Sequence, residues 1–361
     1  MRNRWTALLA LAAVFAACGG GDDAADTTVS SVAPSTAASS STEPVPTSDA
    51  ATTVGSTIPS TEPSTGPSSA PPTGSSTGSS GGDGPITVVD DRGVEVVIDS
   101  VERIVPVDGD LAEIVWALGF GDNVVATDIS ATYPEAADSS TKIGYQRALS
   151  PEPILDVEPT VVLATEIAGP PETLTALERT GVPVVVVPTP PTADGPATKI
   201  RAVADALGVS ERGEELAAAV DSEIAAATAR VDESIEPPRV AAMYVRGENV
   251  QLVLGAESGI GWVLDEVGAV NIADELGVAD AEAITAEAML VAAPDVIIVP
   301  AAGLESVGGV EGLLSIQGLG ETPAGQTGRV FAYDDQYLLG NGPRTGQLIE
   351  QMITDIYAGA Q

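Results

Sequence analysis

The chain has 361 residues, with 52 acidic and 15 basic side chains, a formal net charge of −37, one cysteine and no histidine. That inventory excludes an internal disulfide framework, a thiolate or imidazole metal site, and the Ser-His-Asp and Cys-His triads. So strong a negative field repels nucleic acid and anionic lipid surfaces, and no nucleic-acid partner is expected.

Arg2 and Arg4 give a basic start, Ala7 to Ala17 form a short apolar run, and Phe15-Ala16-Ala17-Cys18 sets small residues before the single thiol. The run is too short to span a bilayer, and residues 1–17 read as a signal peptide. The layout resembles the lipobox of bacterial lipoproteins, with Phe15 where Leu is usual. The resemblance implies cleavage before Cys18, lipid on its sulfur, and an extracytoplasmic protein anchored to the cell membrane. After Cys18, residues 19–84 are nearly all Ser, Thr, Pro, Gly, Ala and Asp, and no aromatic residue occurs from 16 to 115. Such a segment cannot bury enough apolar surface to offset its ordering entropy. Residues 18–84 are therefore expected to be a disordered tether with a reach of roughly 45 Å.

The folded part is expected to begin near Ile86. Ile86–Asp91, then Arg92-Gly93, then Val94–Ile98 predict a β-hairpin. Strands are expected at Arg103–Val107, Val124–Thr127, Val161–Ala164 and Val182–Val187, and helices at Asp110–Leu118, Pro151–Val157 and Glu172–Thr180. This alternation of β-branched runs with helices argues for a parallel sheet covered on both faces, in an N-terminal lobe of residues 85–196. Residues 197–236 are continuously helical in pattern, broken near Gly208-Val209-Ser210 with Ser210 as an N-cap, and ended by Pro237-Pro238. The β/α rhythm resumes in a second lobe, residues 237–361. Its expected strands are Val240–Val245, Asp295–Pro300 and Arg329–Tyr333, with helices at Ser258–Gly268, Thr285–Ala292 and Pro343–Tyr357. The fold class is thus α/β: two lobes with parallel-type sheets, a long linking helix, and a ligand cleft between the carboxyl ends of the strands.

Arg103–Val107 with Leu111–Gly119, Leu149–Ala164, and Ile284–Val299 in the second lobe carry a resemblance over residues 85–361. The chain resembles the substrate-binding proteins of ABC importers, in the class with a rigid linking helix that binds vitamin B12, ferric siderophores and haem. The resemblance implies a class III periplasmic-binding-protein-like fold and a non-enzymatic, monomeric protein that delivers its ligand to permease transmembrane subunits. It places Glu152 and Glu287 at the docking positions, one per lobe, where the family pairs them with permease arginines. Two separated charges suit a transient, oriented encounter. Read from the residues alone, each is a first-turn acidic residue favoured by the helix dipole.

Gly144–Ser150, Glu166–Pro171 and Tyr337–Arg344 are similar to the haem-binding branch. There the Tyr145 position supplies an axial ligand to haem iron, supported by Arg147. A phenolate is a hard anionic donor suited to ferric iron. In an extended segment Tyr145 and Arg147 would face the same way. Tyr244 and Arg246 repeat the spacing in the second lobe, where some actinobacterial relatives draw an axial ligand opposite a histidine that this chain lacks. Tyr244 is expected to be a second axial ligand or a hydrogen-bonding partner. Arg147, Arg246 and Arg344 are candidates for haem propionates, since guanidinium–carboxylate pairs are planar and bidentate. An isolated Tyr-x-Arg is also ordinary half-buried packing. Trp116 and Trp262 fit core positions, and Tyr133 and Tyr337 fit either cleft wall or packing.

The rival ligands on the same fold are a ferric siderophore or cobalamin. A free divalent metal fits poorly without histidine. An enzyme would need a carboxylate or Lys base, and the glycine cluster Gly255–Gly261 matches no dinucleotide or P-loop fingerprint. A surface adhesion or sensor module is the remaining alternative.

Overall fold

The alternating residues after Pro85 pair as an antiparallel hairpin of β1 (Ile86–Val89) and β2 (Glu95–Ile98), with Ile86 opposite Ile98. Asp90 closes the turn by accepting the N–H groups of Arg92 and Val94, each at 3.0 Å. Burial alone would push its carboxyl up, but these hydrogen bonds and the Arg92 guanidinium outweigh burial and hold it below the usual range. The computed structural model describes residues 84–358 apart from 233 and 248, all within the unit Ser75–Gln361. The expected signal peptide, Cys18 and the tether up to residue 83 lie outside the described residues.

The N-terminal lobe runs β3 (Ile104–Val107), α1 (Gly109–Ala117), α2 (Pro151–Asp156), β4 (Val161–Ala164), α3 (Pro171–Arg179) and β5 (Val184–Val186). Its three strands form a parallel sheet in the order β3-β4-β5, every residue of them buried, as a sheet covered on both faces requires. The expected strand at Val124–Thr127 does not form. The segment makes single bridges, Val124 to Ile104 and Thr127 to Lys142. Val125 donates to the Ile104 carbonyl at 3.0 Å, and continuing that parallel ladder would require an N–H from residue 106. Residue 106 is proline, so β3 ends the sheet as its edge.

The helical stretch is two antiparallel helices, α4 (Gly195–Ala206) and α5 (Ser210–Thr228), turning at Gly208 with φ +71°. Gly213 lets them close, since a Cβ there would collide with that of Ala204. Two details differ from expectation. Ser210 is the first helical residue and bonds Asp205, so it does not cap. The helix also ends at Thr228, well before Pro237-Pro238, because Ala229 and Arg230 close a terminal turn onto Ala225 and Ala227. The connector is thus a pair of helices, not one continuous helix.

The C-terminal lobe runs β6 (Arg239–Arg246), β7 (Val250–Leu254), α6 (Gly261–Glu266), β8 (Val270–Asn271), β9 (Ala281–Glu282), α7 (Ala286–Ala292), β10 (Val296–Pro300), α8 (Ala301–Ser306), β11 (Val330–Tyr333), α9 (Asp335–Leu339) and α10 (Thr345–Tyr357). Its sheet order is β11-β10-β6-β7-β9, with β8 also on β6. The expected parallel core is β11-β10-β6. Beyond it, β7 and β9 add antiparallel strands that the sequence reading does not include. Helix α10 packs on α5, where Gly346 leaves its missing Cβ position 2.6 Å from Glu223. One buried apolar cluster runs from Ile98 and Leu111 through Ile200 and Val220 to Leu348 and Met352, so both lobes share a core along the linking helix.

Candidate functional site at the lobe boundary

Tyr145 stands on a turn. Its carbonyl accepts the Ala148 N–H at 2.8 Å, and Gly144, at φ +114°, turns the chain into it. The turn is pinned from both sides by buried Ile143 and Leu149 and by the Gln146 carbonyl, which accepts from Gly169. The segment is thus not extended, and the alternation argument that placed Tyr145 and Arg147 on one face does not apply to it. Arg147 still acts on the phenol. Burial and the neighbouring Tyr244 push the Tyr145 phenol above its ordinary range, while Arg147 and Arg246 pull it back.

Tyr244 reaches the same place from the other lobe, on the second half of β6 between buried Met243 and Val245. The two phenols lie near enough for Tyr244 to raise the Tyr145 phenol. Arg246 lies over the Tyr244 ring, 4.5 Å from its centroid, and donates to the Val245 carbonyl at 2.9 Å. Its other terminal nitrogen is ion-paired with Asp335. Arg147 is exposed and, among the described residues, has no carboxylate partner.

Arg344 is held more tightly. Its Nε and Nη2 donate to the two carboxylate oxygens of Glu113 at 2.9 and 2.8 Å, and its guanidinium lies 3.7 Å from the Tyr133 centroid and 4.9 Å from that of Tyr337. Of the three arginines read as propionate partners, two therefore already have carboxylates of the protein. Beside this pair sits Gln336, which the sequence reading does not single out. Its Oε1 accepts the Thr132 and Tyr133 N–H groups at 2.8 and 2.9 Å, and its Nε2 donates to the Gly109 carbonyl and to Glu113 at 2.8 and 3.0 Å. A lone Gln carries no motif, and only its place beside Tyr337 pointed there.

The carboxyl end of β3 leads into Asp108, which caps α1 through the Gly109 N–H at 3.0 Å. Burial, reinforced by Asp110 and Asp128, pushes the Asp108 carboxyl well above the ordinary range. Burial also raises Asp128. Lys199 is ion-paired with Asp110, both side chains being buried, and donates to the Gly340 carbonyl at 2.9 Å.

Ile129, whose N–H donates to the Gly144 carbonyl beside Tyr145, and Tyr133 are exposed on the N-terminal side, and Tyr337 is half-buried on the other. Trp262 is buried in the core and Trp116 is half-buried against Ala112, Ala131 and Ala137. Among the described residues no cluster of three or more His, Cys, Asp or Glu side chains could hold a free metal ion. The donor set is hard and oxygen-only, which suits a ferric centre that brings its own equatorial ligands.

Glu152 and Glu287 lie in the first turns of α2 and α7, one helix from each lobe, and both are exposed. A hydrogen bond from Ser150 holds the Glu152 carboxyl below the usual range. Thr285 caps α7 by accepting the Ala288 N–H at 3.2 Å.

A family profile described as periplasmic binding protein matches residues 104–337. The chain is similar to the structure of the periplasmic heme-binding protein RhuT from Roseiflexus sp. RS-1 in apo form. The two are 47% identical with a TM-score of 0.70, over 73% of this chain and 100% of that one. The heme-binding protein HmuT is 32% identical with a TM-score of 0.71, over 76% of this chain and 90% of its own. The vitamin B12-binding protein of Vibrio campbellii is 29% identical over 117 residues, which is 32% of this chain and 42% of that protein. The match thus spans less than half the length of that B12-binding relative. With its two lobes and linking helix, the chain belongs to the periplasmic binding protein family.

Proposed function

We propose that this chain is the extracytoplasmic haem-binding component of an ABC-type importer. The observation that carries the reading is the approach of two phenols, Tyr145 and Tyr244, one from each lobe, each with an arginine beside it. Ferric haem is the cargo. Its iron would take the tyrosine oxygens, its macrocycle the surfaces of Ile129, Tyr133 and Tyr337, and its propionates the exposed Arg147. Arg246 and Arg344 support the walls through the carboxylates and rings they already hold. Two solved relatives described as heme-binding support this choice of cargo.

The protein acts by binding and handing over, without covalent chemistry. The loaded monomer docks on the permease through Glu152 and Glu287, and lipid on Cys18 with the tether of residues 18–84 keeps it at the membrane. The match to B12-binding relatives makes a corrinoid the comparator. Titration of the purified protein with ferric haem and, separately, cobalamin tests the reading. A saturable haem spectrum with the charge-transfer band of phenolate ligation is expected. Saturation by cobalamin alone would overturn it.

A further inference from the structure

Asp335 carries this inference, which rests on the proposed haem function. Asp335 opens α9, directly after the cap residue Asp334. Its Oδ2 is ion-paired with Arg246 and its Oδ1 accepts the Ala302 N–H, at the start of α8, at 3.1 Å. The carboxylate therefore ties three elements together: β6, which carries Tyr244 and Arg246, α8, and α9. The backbone beneath is shaped for the same purpose. A Cβ at Gly303 would lie 2.8 Å from Arg246 Nη1 and 2.7 Å from the Val245 carbonyl oxygen, so α8 closes on the guanidinium only because residue 303 has no side chain. Arg246 is thus fixed by Asp335 at one nitrogen and by the Val245 carbonyl at another, with its central carbon over the Tyr244 ring.

An unanchored arginine in this position would have a competing partner in a ligand that carries carboxylates, and bidentate guanidinium–carboxylate pairing is strong. We propose that Asp335 is a positioning residue for the Tyr244 ligand: it reserves Arg246 for the phenol ring and keeps it from the carboxylates of the cargo. A cation over the ring draws electron density from the phenolate oxygen. Tyr244 therefore meets iron as a weaker donor than a bare tyrosinate, which favours later release.

The test uses the full-length protein loaded with ferric haem in a Tyr145→Phe background, so that Tyr244 is read alone. Asp335→Asn is expected to move the phenolate-to-iron charge-transfer band to longer wavelength, as a more electron-rich phenolate does. Arg246→Ala should give the same displacement, and the double variant no more than either. Asp335→Glu should restore most of the original position. The inference fails if Asp335→Asn leaves the band unmoved, or if the two substitutions add. A general loosening of the fold would broaden the band and lower the melting temperature in every variant, without rescue by Asp335→Glu, and that also overturns it. If the unsubstituted protein shows no saturable haem spectrum, the haem reading itself falls, a result distinguishable from all of these.

Discussion

Arg344, at the start of the last helix, grips Glu113 on the first helix of the other lobe through two parallel hydrogen bonds of 2.9 and 2.8 Å. Glu113 is also bonded by Gln336, so one carboxylate joins three segments across the lobe boundary. A linking helix resists hinge bending, and this pair adds a fixed contact across the same boundary. Glu113→Leu strands the Arg344 guanidinium and the Gln336 amide, and should cost about 3 kcal/mol, as removal of one partner of a buried pair does. Changing both residues, to Glu113→Leu with Arg344→Met, should recover at least about half of that. Urea unfolding midpoints check both. A single-variant cost under about 1 kcal/mol would show that Tyr133 and Tyr337 alone satisfy the cation.

The two tyrosines should contribute unequally. Tyr145 sits on a pinned turn and is more than one-third exposed, beside an arginine with no carboxylate partner among the described residues. Tyr244 lies under a guanidinium already committed to Asp335. Tyr145→Phe is therefore expected to weaken ferric haem binding at least about tenfold, or ~1.4 kcal/mol. Tyr244→Phe should cost less and mainly alter the visible spectrum. Equal losses in parallel titrations would mean that both phenols ligate iron on equal terms.

What the sequence revealed and what it concealed follow from how local each signal is. The β-branched runs at Val161–Ala164 and Val296–Pro300 are strands because burial on both faces leaves them few alternatives. The Tyr145 and Tyr244 motifs were legible by resemblance. The resemblance also set Tyr244 beside Tyr145, as a second ligand or hydrogen-bonding partner. The turn that carries Tyr145 was not legible, because it depends on the contact of Gln146 with the distant Gly169. Pro106 carried the reason that 124–127 forms no strand, but only to a reading that already knew which strands were neighbours. The antiparallel β7 had a local signal in Gly247 and Asn249, turn-forming residues between two apolar runs. Gln336 had only its place beside Tyr337, since an amide becomes informative when its partners are in place.

Stability should fall as pH rises through the range of two carboxyls. Burial raises Asp108 and Asp128 in the folded state, so the native protein holds protons that the unfolded chain has lost. Their contribution is fully present at pH values below those of the unfolded carboxyls and is lost as pH rises through the folded values. Asp90, held below the usual range, runs the other way and loses its contribution as pH falls. Asp108→Asn keeps the acceptor for the Gly109 N–H and removes the titration. Melting temperatures measured between about pH 4 and pH 8 should decline less steeply in this variant than in the parent. A parallel decline would place the proton elsewhere, on Asp128.

Docking through Glu152 and Glu287 predicts a separation of binding from delivery. Both carboxylates are exposed, in first helical turns, and neither is among the side chains that meet around Tyr145 and Tyr244. Exposed charges of this kind govern encounter and orientation more than fold stability. Glu152→Lys with Glu287→Lys should abolish haem-dependent growth of cells that rely on the importer, while the purified variant binds haem as the parent does. Each single reversal should fall between, because one remaining contact still orients one lobe. Leu290 and Val291, exposed on the same helix as Glu287, offer apolar surface that the charge reversal leaves intact. Growth that survives the double reversal would mean that this apolar surface, and not the carboxylate pair, carries the encounter.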